Sequence, residues 1–534
     1  MVVATKVFSK GLFMTTDILI VGAGPVGLTG ALLAHELGLT VRIIDRRPST
    51  QRAPAAHVIN ARTFEIWRQI GLDVNAIRSH AQTPEKAGHV HWVTRLGETI
   101  IGTLPYEQQG DDNLEITPTP LRNLSQHRLE PLLTAELKQR GIIVEYSSSY
   151  ISHEATDFGF TSIIQVGDVL STIESTWLIA CDGASSSVRH HTGIAMDGPD
   201  NLQKFNMFHF QANLNALVGA HPGILYWICD PYSGGALVSH GGDNEWVYMM
   251  PTDEPNPETF TDEECFAHIR RALAATDSTI TLLRQSTWTM TSQLAQSYQQ
   301  GHVFLAGDAA HRFPPTGGMG LNTGIGDIHN LLWKIAAVHQ GSANEELLNT
   351  YETERRPIAE RNAQASLENA FKMFDVFMAL GIDPDKEVSA RNLEAALNSA
   401  ASLTSIETAI NNQATHFNMI GLQVGYRYTT EHSTTPLEEL SDEIITTYRP
   451  SAEPGNRLPH GWLVRNGETI SSLDLVPLHS HVVIGGAQYA GERCDVRMGS
   501  EVTDPDNWWM STLQLLPHQA IVVRPDQHIK QIFN

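Results

Sequence analysis

The sequence is short of cysteine and of positive charge, and it has no long apolar run. Only four cysteines occur in 534 residues, Cys181, Cys229, Cys265 and Cys494, and no two form a C-x-x-C pair. That excludes a disulfide framework or a cysteine zinc site and suits a reducing compartment, so a cytoplasmic location is expected. Lys and Arg number 36 against 59 Asp and Glu, a formal net charge of −23. Nucleic acid and anionic membrane surfaces would repel such a chain, so neither is expected as a partner. An anionic ligand must then be held by local features such as helix N-termini and single arginines. No apolar stretch approaches the roughly 18 residues that a membrane span requires. Nor is there an internal repeat, a low-complexity tract or a histidine spacing that suggests a metal site.

What remains is the composition of a folded globular protein, 41% hydrophobic and 18% charged. A chain of this length is expected to divide into two or three domains. Residues 1–13 read as a disordered extension, and Met14 opens the first segment with a structural pattern. Thr16–Val21 reads as a buried strand, Ala23–Gly24–Pro25 as a tight turn and Val26–Leu37 as a helix. Val41–Ile44 is then a second strand that ends at Asp45. Two stretches alternate like strands, from about 88 to 103 and from about 159 to 179. The block from about 204 to 250, broken by turns such as Gly241–Gly242–Asp243, reads as an antiparallel sheet inserted between α/β pieces. Another short buried strand, 301–306, precedes a Pro/Gly loop and a helix from about 323 to 339. Residues 349 to about 410 are helical, and a Pro/Gly break at 449–459 looks like a linker.

The segment G-A-G-P-V-G (Gly22, Ala23, Gly24, Pro25, Val26, Gly27) joins the first strand to the first helix. Gly22 permits the tight turn, Gly24 lets backbone approach a diphosphate, and Gly27 lets the helix pack on the strand. The helix N-terminus then faces the phosphates, and Asp45 ends the second strand where a carboxylate takes ribose hydroxyls. This fingerprint by itself does not separate FAD from NAD.

Two later segments do. One is L-I-A-C-D-G-A-S-S-S-V-R, which places Asp182–Gly183 after an apolar strand. The other is V-F-L-A-G-D-A-A-H-R-F-P-P-T-G-G-M-G-L-N, which places Gly307–Asp308 after another. A strand-end carboxylate can accept hydrogen bonds from ribityl hydroxyls, and Gly317, Gly318, Gly320 and Gly324 let backbone N–H groups reach a flat ring. A helix starting there can stabilise negative charge on a reduced flavin. No second G-x-G-x-x-G occurs, which argues against a two-dinucleotide disulfide reductase.

With these motifs, and with N-L-L-W-K-I-A-A-V and Y-E-T-E-R-R-P, nearly the whole chain resembles the class A flavoprotein aromatic hydroxylases of the para-hydroxybenzoate hydroxylase fold. A-H-V-I-N-A-R-T-F-E-I-W, P-G-N-R-L-P-H-G-W-L, I-S-S-L-D-L and V-V-R-P-D-Q-H-I carry a likeness to the phenol hydroxylase branch, whose members act on 2-hydroxybiphenyl and 2,4-dichlorophenol. The resemblance implies an α/β fold: a Rossmann-like FAD-binding domain (14–90, 115–195 and 290–370) with an inserted antiparallel-sheet substrate domain (91–114 and 196–289). It further implies a helical connection (371–410) and a C-terminal thioredoxin-like domain without redox cysteines (411–534). FAD is the implied cofactor, NADPH or NADH the co-substrate, and a small phenolic aromatic and O2 the partners. A homodimer is left open.

The resemblance also implies roles. Asp182 belongs to the segment linked to FAD and nicotinamide handling, and Asp308 to the one that holds the ribityl chain. Residues 314–322, including Pro315, Gly318, Gly320, Leu321 and Asn322, would lie along the isoalloxazine ring. Gln126, Arg46 and Arg52 match FAD-contacting positions. His57 matches a histidine that deprotonates the substrate, and with an ordinary pKa near 6.5 a neutral imidazole suits that task. His311 is expected to support the loop. Tyr226 and Trp227 are expected at the substrate pocket.

The implied reaction is oxygen transfer from a flavin C4a-hydroperoxide to a phenolate. The alternatives are a tailoring hydroxylase of a larger polyketide-like aromatic, a flavin oxidase or dehydrogenase without oxygen insertion, and a non-catalytic FAD-fold protein.

Overall fold

The computed structural model describes residues 15–241, 244–253, 260–274, 279–433 and 436–534. The expected extension, 1–13, and part of the expected turn at 241–243 lie outside them. Strand β1 (Thr15–Val21) is apolar along most of its length because layers cover both its faces, and Ile18, Leu19 and Ile20 are fully buried. It pairs in parallel with β2 (Val41–Ile44) on one side and with the strand Val169–Ala180 on the other. Val303–Leu305 continues the parallel layer beyond Val169–Ala180. Helix α1 (Pro25–Glu36) buries Leu28, Leu32 and Leu33 against this sheet. The helix Met319–His339 packs beside α1 at Gly30, where an added Cβ would stand 2.8 Å from Ile328.

The register decides where the motifs fall. Val21 is paired with Ala180 and with Ile44, and Ala180 with Leu305. The carboxyl ends of four parallel strands therefore lie along one edge of the sheet, where ligands bind in open α/β folds. Gly22, Asp45, Asp182 and Gly307 all follow those ends within two residues.

A second, seven-stranded sheet is built from two distant stretches, His89–Val93 with Ile100–Pro105 and the strands from Gln203–Gln211 to Thr281–Met290. Its pairs are antiparallel except one: Leu225–Ile228 runs parallel to His89–Val93. The expected antiparallel sheet is thus a mixed one, because the earlier hairpin is inserted beside a strand more than a hundred residues later. Helix Asp262–Ala272 covers one face, with Cys265 and Ile269 packed against Phe208, Phe210 and Tyr248.

The last hundred residues form their own four-stranded sheet and core. The break at 449–459 is no free linker. Arg457 is buried and donates to both carboxylate oxygens of Glu65 (2.8 and 2.6 Å), on helix α2 (Ala61–Gln69). Arg524 likewise donates to both oxygens of Glu354 (2.6 and 2.8 Å) in the long helix Glu346–Ala379. Among the described residues, no helix is long and apolar enough to cross a membrane.

Candidate active site

The first turn is shaped by contacts that only glycine allows. Gly22 has φ +105°, and an added Cβ would lie 2.2 Å from the Cys181 carbonyl oxygen. At Gly27 a Cβ would lie 1.9 Å from the Gly22 carbonyl oxygen. Gly24 is different, with nothing within 4 Å of its would-be Cβ, and α1 starts there with Pro25 and no side-chain cap. The first-turn N–H groups of a helix have no intrahelical acceptor, so this open start can receive an anion.

Asp45 closes the turn from the neighbouring strand. Its carboxylate accepts from the Ala23 N–H (2.7 Å) and from the Arg47 N–H (2.7 Å) and guanidinium (3.0 Å). Arg47 also donates to the Ala23 carbonyl (2.9 Å) and reaches the buried Glu130 (3.2 Å). Glu130 in turn accepts from Gln126 Nε2 (2.8 Å) and the Gln51 N–H (2.6 Å). Gln126 therefore joins the site through Glu130. Arg47 and Glu130 were not singled out in the sequence, although Arg47 follows Asp45 by two residues and Glu130 lies one helical turn beyond Gln126. Of the expected arginines, Arg46 donates to Ser185 Oγ (3.2 Å) across the groove. Arg52 is exposed and makes no ion pair among the described residues.

The second and third turns are stitched together. Asp182 accepts the Val188 N–H on one oxygen (3.2 Å), while its other oxygen, Oδ1, is buried and unpartnered. Desolvation raises its pKa, against hydrogen bonds from Ser186 and nearby backbone. Arg189, also buried, donates to the Ala309 carbonyl (2.9 Å) and the Ala184 carbonyl (3.1 Å), and Arg312 donates to the same Ala184 oxygen. Gly307 (φ +60°) packs on Val26 of the first turn, and a Cβ at Gly324 would stand 2.8 Å from the Gly307 Cα. All three turns therefore meet at one place.

Below them Asp327, fully buried, accepts from the Gly307 N–H (3.2 Å), His311 Nε2 (2.7 Å) and Arg355 Nε (2.8 Å). His311 is thus committed to bracing the loop. Asp308 next to it presents its carboxylate to the groove. The surrounding protein desolvates it and raises its pKa against the pull of His311 and Arg312.

The glycine loop is pinned on the far side. A Cβ at Gly318 (φ +63°) would stand 2.6 Å from Val58, and one at Gly317 (φ +86°) 2.2 Å from the Met419 sulfur. Gly320 is open, Pro315 is exposed, Leu321 is half-buried, and the helix Met319–His339 begins without a side-chain cap. Asn322 is occupied inside the protein. It donates to the Val58 (2.9 Å) and Gly318 (2.8 Å) carbonyls and accepts from the Asn60 N–H (3.0 Å) and Thr63 Oγ1 (2.8 Å). Its side chain holds the loop to the segment after His57 and has no bond left for a ligand.

His57 lies on that segment. Its carbonyl accepts the Leu124 N–H (2.7 Å), and its ring makes no hydrogen bond among the described residues. Burial pushes its pKa down to about 4, so the imidazole is neutral at physiological pH. The ring stands edge-to-face with His240, centroids 5.6 Å apart.

Tyr226 and Trp227, adjacent on one strand, point to opposite faces of the sheet. Tyr226 packs among Phe208, Phe210 and Trp246 under the helix Asp262–Ala272, and its hydroxyl donates to the His221 carbonyl (3.0 Å). It is a core residue on the covered face. Trp227 faces the other way, towards Phe417 and His416, with its indole N–H buried and unpartnered.

The residues fit a flavin adenine dinucleotide on three counts. Gly24 and Gly320 leave open the space a Cβ would fill, both helix starts are uncapped, and Asp182 keeps one orphaned acceptor. A cavity of about 680 Å³ lies beside them, lined by Ser185, Arg189, His190, Asp200, Gln293 and Arg312.

Comparison with known proteins agrees. The profile of the FAD binding domain family matches residues 15–366. The chain is 31% identical to a 2,4-dichlorophenol 6-monooxygenase of Cupriavidus pinatubonensis over 97% of its own length and 93% of the relative's. It is 30% identical to the tetracenomycin A2 monooxygenase-dioxygenase of Streptomyces glaucescens, covering 95% and 92%. Among solved structures it is similar to the flavin-dependent monooxygenase PieE in complex with FAD and substrate (TM-score 0.89, 27% identity, 97% and 96% covered). Another is the ternary complex of aklavinone-11 hydroxylase with FAD and aklavinone (TM-score 0.80, 25% identity, 97% and 95% covered).

Proposed function

The chain belongs to the FAD-binding family of class A flavoprotein aromatic hydroxylases, and on that premise we propose that it inserts one oxygen atom of O2 into a phenolic ring at the expense of NADPH or NADH. The observation that carries this reading is the placement of His57. A neutral, desolvated imidazole stands on a segment that Asn322 and Val58 fasten to the glycine loop where the ring of a flavin would lie.

Bound flavin would supply the hydride acceptor and the activation of oxygen. The protein's own residues do the rest. The open start of α1 at Gly24 would hold the diphosphate, and Asp45, which fixes the turn through Ala23 and Arg47, would take the ribose side. Asp182, with its unpartnered Oδ1, and Asp308 would offer acceptors to the sugar-like chain. The uncapped start of the helix Met319–His339 would stabilise negative charge on a reduced flavin held beside it.

His57 then accepts the substrate's phenolic proton, since a phenolate is a far stronger nucleophile than a phenol. The low pKa of His57 reflects the cost of a lone charge in a desolvated site. A phenolate formed beside it offsets much of that cost, so the pair can exist where the isolated imidazolium cannot.

A second reading, hydroxylation of a larger polyketide-type aromatic, is favoured by the likeness to the aklavinone-11 hydroxylase and tetracenomycin enzymes. One experiment separates the readings. FAD-loaded protein is screened with simple phenols and with polycyclic hydroxyaromatics for stimulation of NADPH or NADH oxidation, and the product is checked for a mass increase of one oxygen. Stimulation by phenols supports the first reading, and stimulation confined to polycyclic compounds the second. Flavin reduction without oxygen incorporation would leave an oxidase or dehydrogenase.

A further inference from the structure

Deprotonating a substrate leaves His57 with a charge in a site that disfavours one, so the proton needs somewhere to go. His240 is only 5% exposed, its ring stands edge-to-face with that of His57 at 5.6 Å, and its Nδ1 is buried with no partner. An orphaned buried polar atom is costly and calls for an explanation.

Around it, three side chains from two further segments converge on one carboxylate. Glu245, whose backbone carbonyl accepts the His240 N–H (2.9 Å), takes His209 Nε2 on one oxygen (2.6 Å). Its other oxygen takes His127 Nε2 (3.2 Å) and Arg128 Nη2 (3.0 Å). Ser125 Oγ meets His127 Nδ1 at 2.9 Å. Burial works to raise the Glu245 pKa, but hydrogen bonds from His127, His209 and Arg128 hold it well below the usual range. His240 is held neutral by burial first and by His57 second, while Glu245 pulls the other way. Arg128 is the outer member, its side chain 30% exposed.

We propose that His240 receives the proton that His57 takes from the substrate and passes it to the His127–Glu245–His209 cluster, which opens to solvent beside Arg128. The substrate O–H bond breaks as an N–H bond forms on His57. The N–H on the opposite nitrogen of His57 then breaks as one forms on His240. The N–H on the other nitrogen of His240 breaks as its proton passes to water beside Glu245, and the Glu245 carboxylate balances the charge until that proton reaches bulk solvent. No electrons are exchanged. Edge-to-face rings at this separation are in contact, and a small ring rotation or one bridging water aligns the transfer. The proposal rests on the reading of His57 as the base. It makes His240 a positioning and relay residue that need not touch the substrate.

The test uses FAD-loaded protein, 4-nitrophenol as the probe and a pH-indicator dye in weak buffer at a pH low enough that the free probe stays protonated and colourless, followed by rapid mixing. The probe's phenolate is coloured, so its formation and the arrival of the proton in solvent are read separately. In the unaltered protein the two signals rise together. In His240→Phe and His240→Gln the phenolate colour still forms, but proton release lags about a hundredfold, the low end of what a positioned proton-transfer group contributes. Release at the unaltered pace in either variant overturns the relay, as does loss of FAD from both, which would mark His240 as structural. The base reading fails separately. It falls if His57→Ala still forms the phenolate, or if the unaltered protein forms none.

Discussion

Replacing Gly24 by alanine should separate folding from cofactor binding. The backbone at Gly24 has φ −76°, which alanine adopts without strain, and its Cβ would meet no protein atom within 4 Å. Restricting the unfolded chain should leave the fold unchanged or stabilise it by about 0.4–1 kcal/mol. The same methyl group intrudes into the space above the uncapped start of α1. If it pushes a diphosphate off two of those N–H groups, at about 1.5–3 kcal/mol each, FAD binding weakens by about 3–6 kcal/mol, or roughly two to four orders of magnitude in Kd. Gly27→Ala is the contrast: its Cβ would lie 1.9 Å from the Gly22 carbonyl oxygen, so the turn itself must break. Thermal unfolding by circular dichroism and FAD titration by fluorescence quenching measure the two effects. Gly24→Ala with unchanged Tm and weakened FAD binding supports the reasoning. Gly24→Ala that binds FAD as tightly as the unaltered protein refutes it, because the diphosphate would then lie elsewhere.

Further outcomes are expected at Gly318, Glu65 and His57. Gly318→Ala forces a side chain into a left-handed conformation, at about 1–2 kcal/mol, and against Val58 at 2.6 Å; Tm should fall and the coupling of NAD(P)H oxidation to product should loosen. Glu65→Gln leaves the buried Arg457 without its carboxylate and should cost about 3–5 kcal/mol, read as a drop in the denaturant midpoint at unchanged slope. Burial works to raise the pKa of Glu65, yet Arg457 and Arg62 hold it at about 2; the stability it contributes is complete above the ordinary carboxylate pKa near 4.5 and is lost as pH falls towards 2, a loss that Glu65→Gln should abolish. His57→Ala should retain FAD while hydroxylation slows or uncouples, measured as product formed per NAD(P)H consumed. Because burial holds His57 at about 4, the acid limb of coupled turnover in the unaltered protein should lie below the ordinary histidine pKa near 6.5, and a limb centred there would point to another group.

Short-range backbone constraints were the legible part of this site. The turns at Gly22, Gly307 and Gly318 need a left-handed or sterically bare residue, and that need is written as glycine at fixed spacing after an apolar strand. The strand ends follow from apolar runs of the right length, which is why Asp45, Asp182 and Asp308 could each be placed at the end of a strand from the sequence, while their common sheet edge follows from the register. What depended on tertiary assembly was hidden. Arg47 and Glu130 meet across 83 residues, and Asn322 reads as a ligand contact until the Asn60 segment is found beside it.

Alternation shows that Tyr226 and Trp227 oppose each other, but only the covering helix Asp262–Ala272 tells which of them is core. Nothing local marks Glu245 as the meeting point of His127, His209 and Arg128, since its partners come from two other segments. The buried pairs Arg457–Glu65 and Arg524–Glu354 explain why a Pro/Gly stretch that looks like a linker is docked. Its composition reports turn content, and the ion pairs report packing.

The most direct test of the account is a structure of the protein crystallised with FAD. One flavin should be bound per chain, its diphosphate over Gly24, its sugar-like chain between Asp182 and Asp308, and its ring along residues 314–322 with His57 on the substrate side. A flavin bound away from any of these three turns, or a protein that takes up no FAD at all, would contradict it.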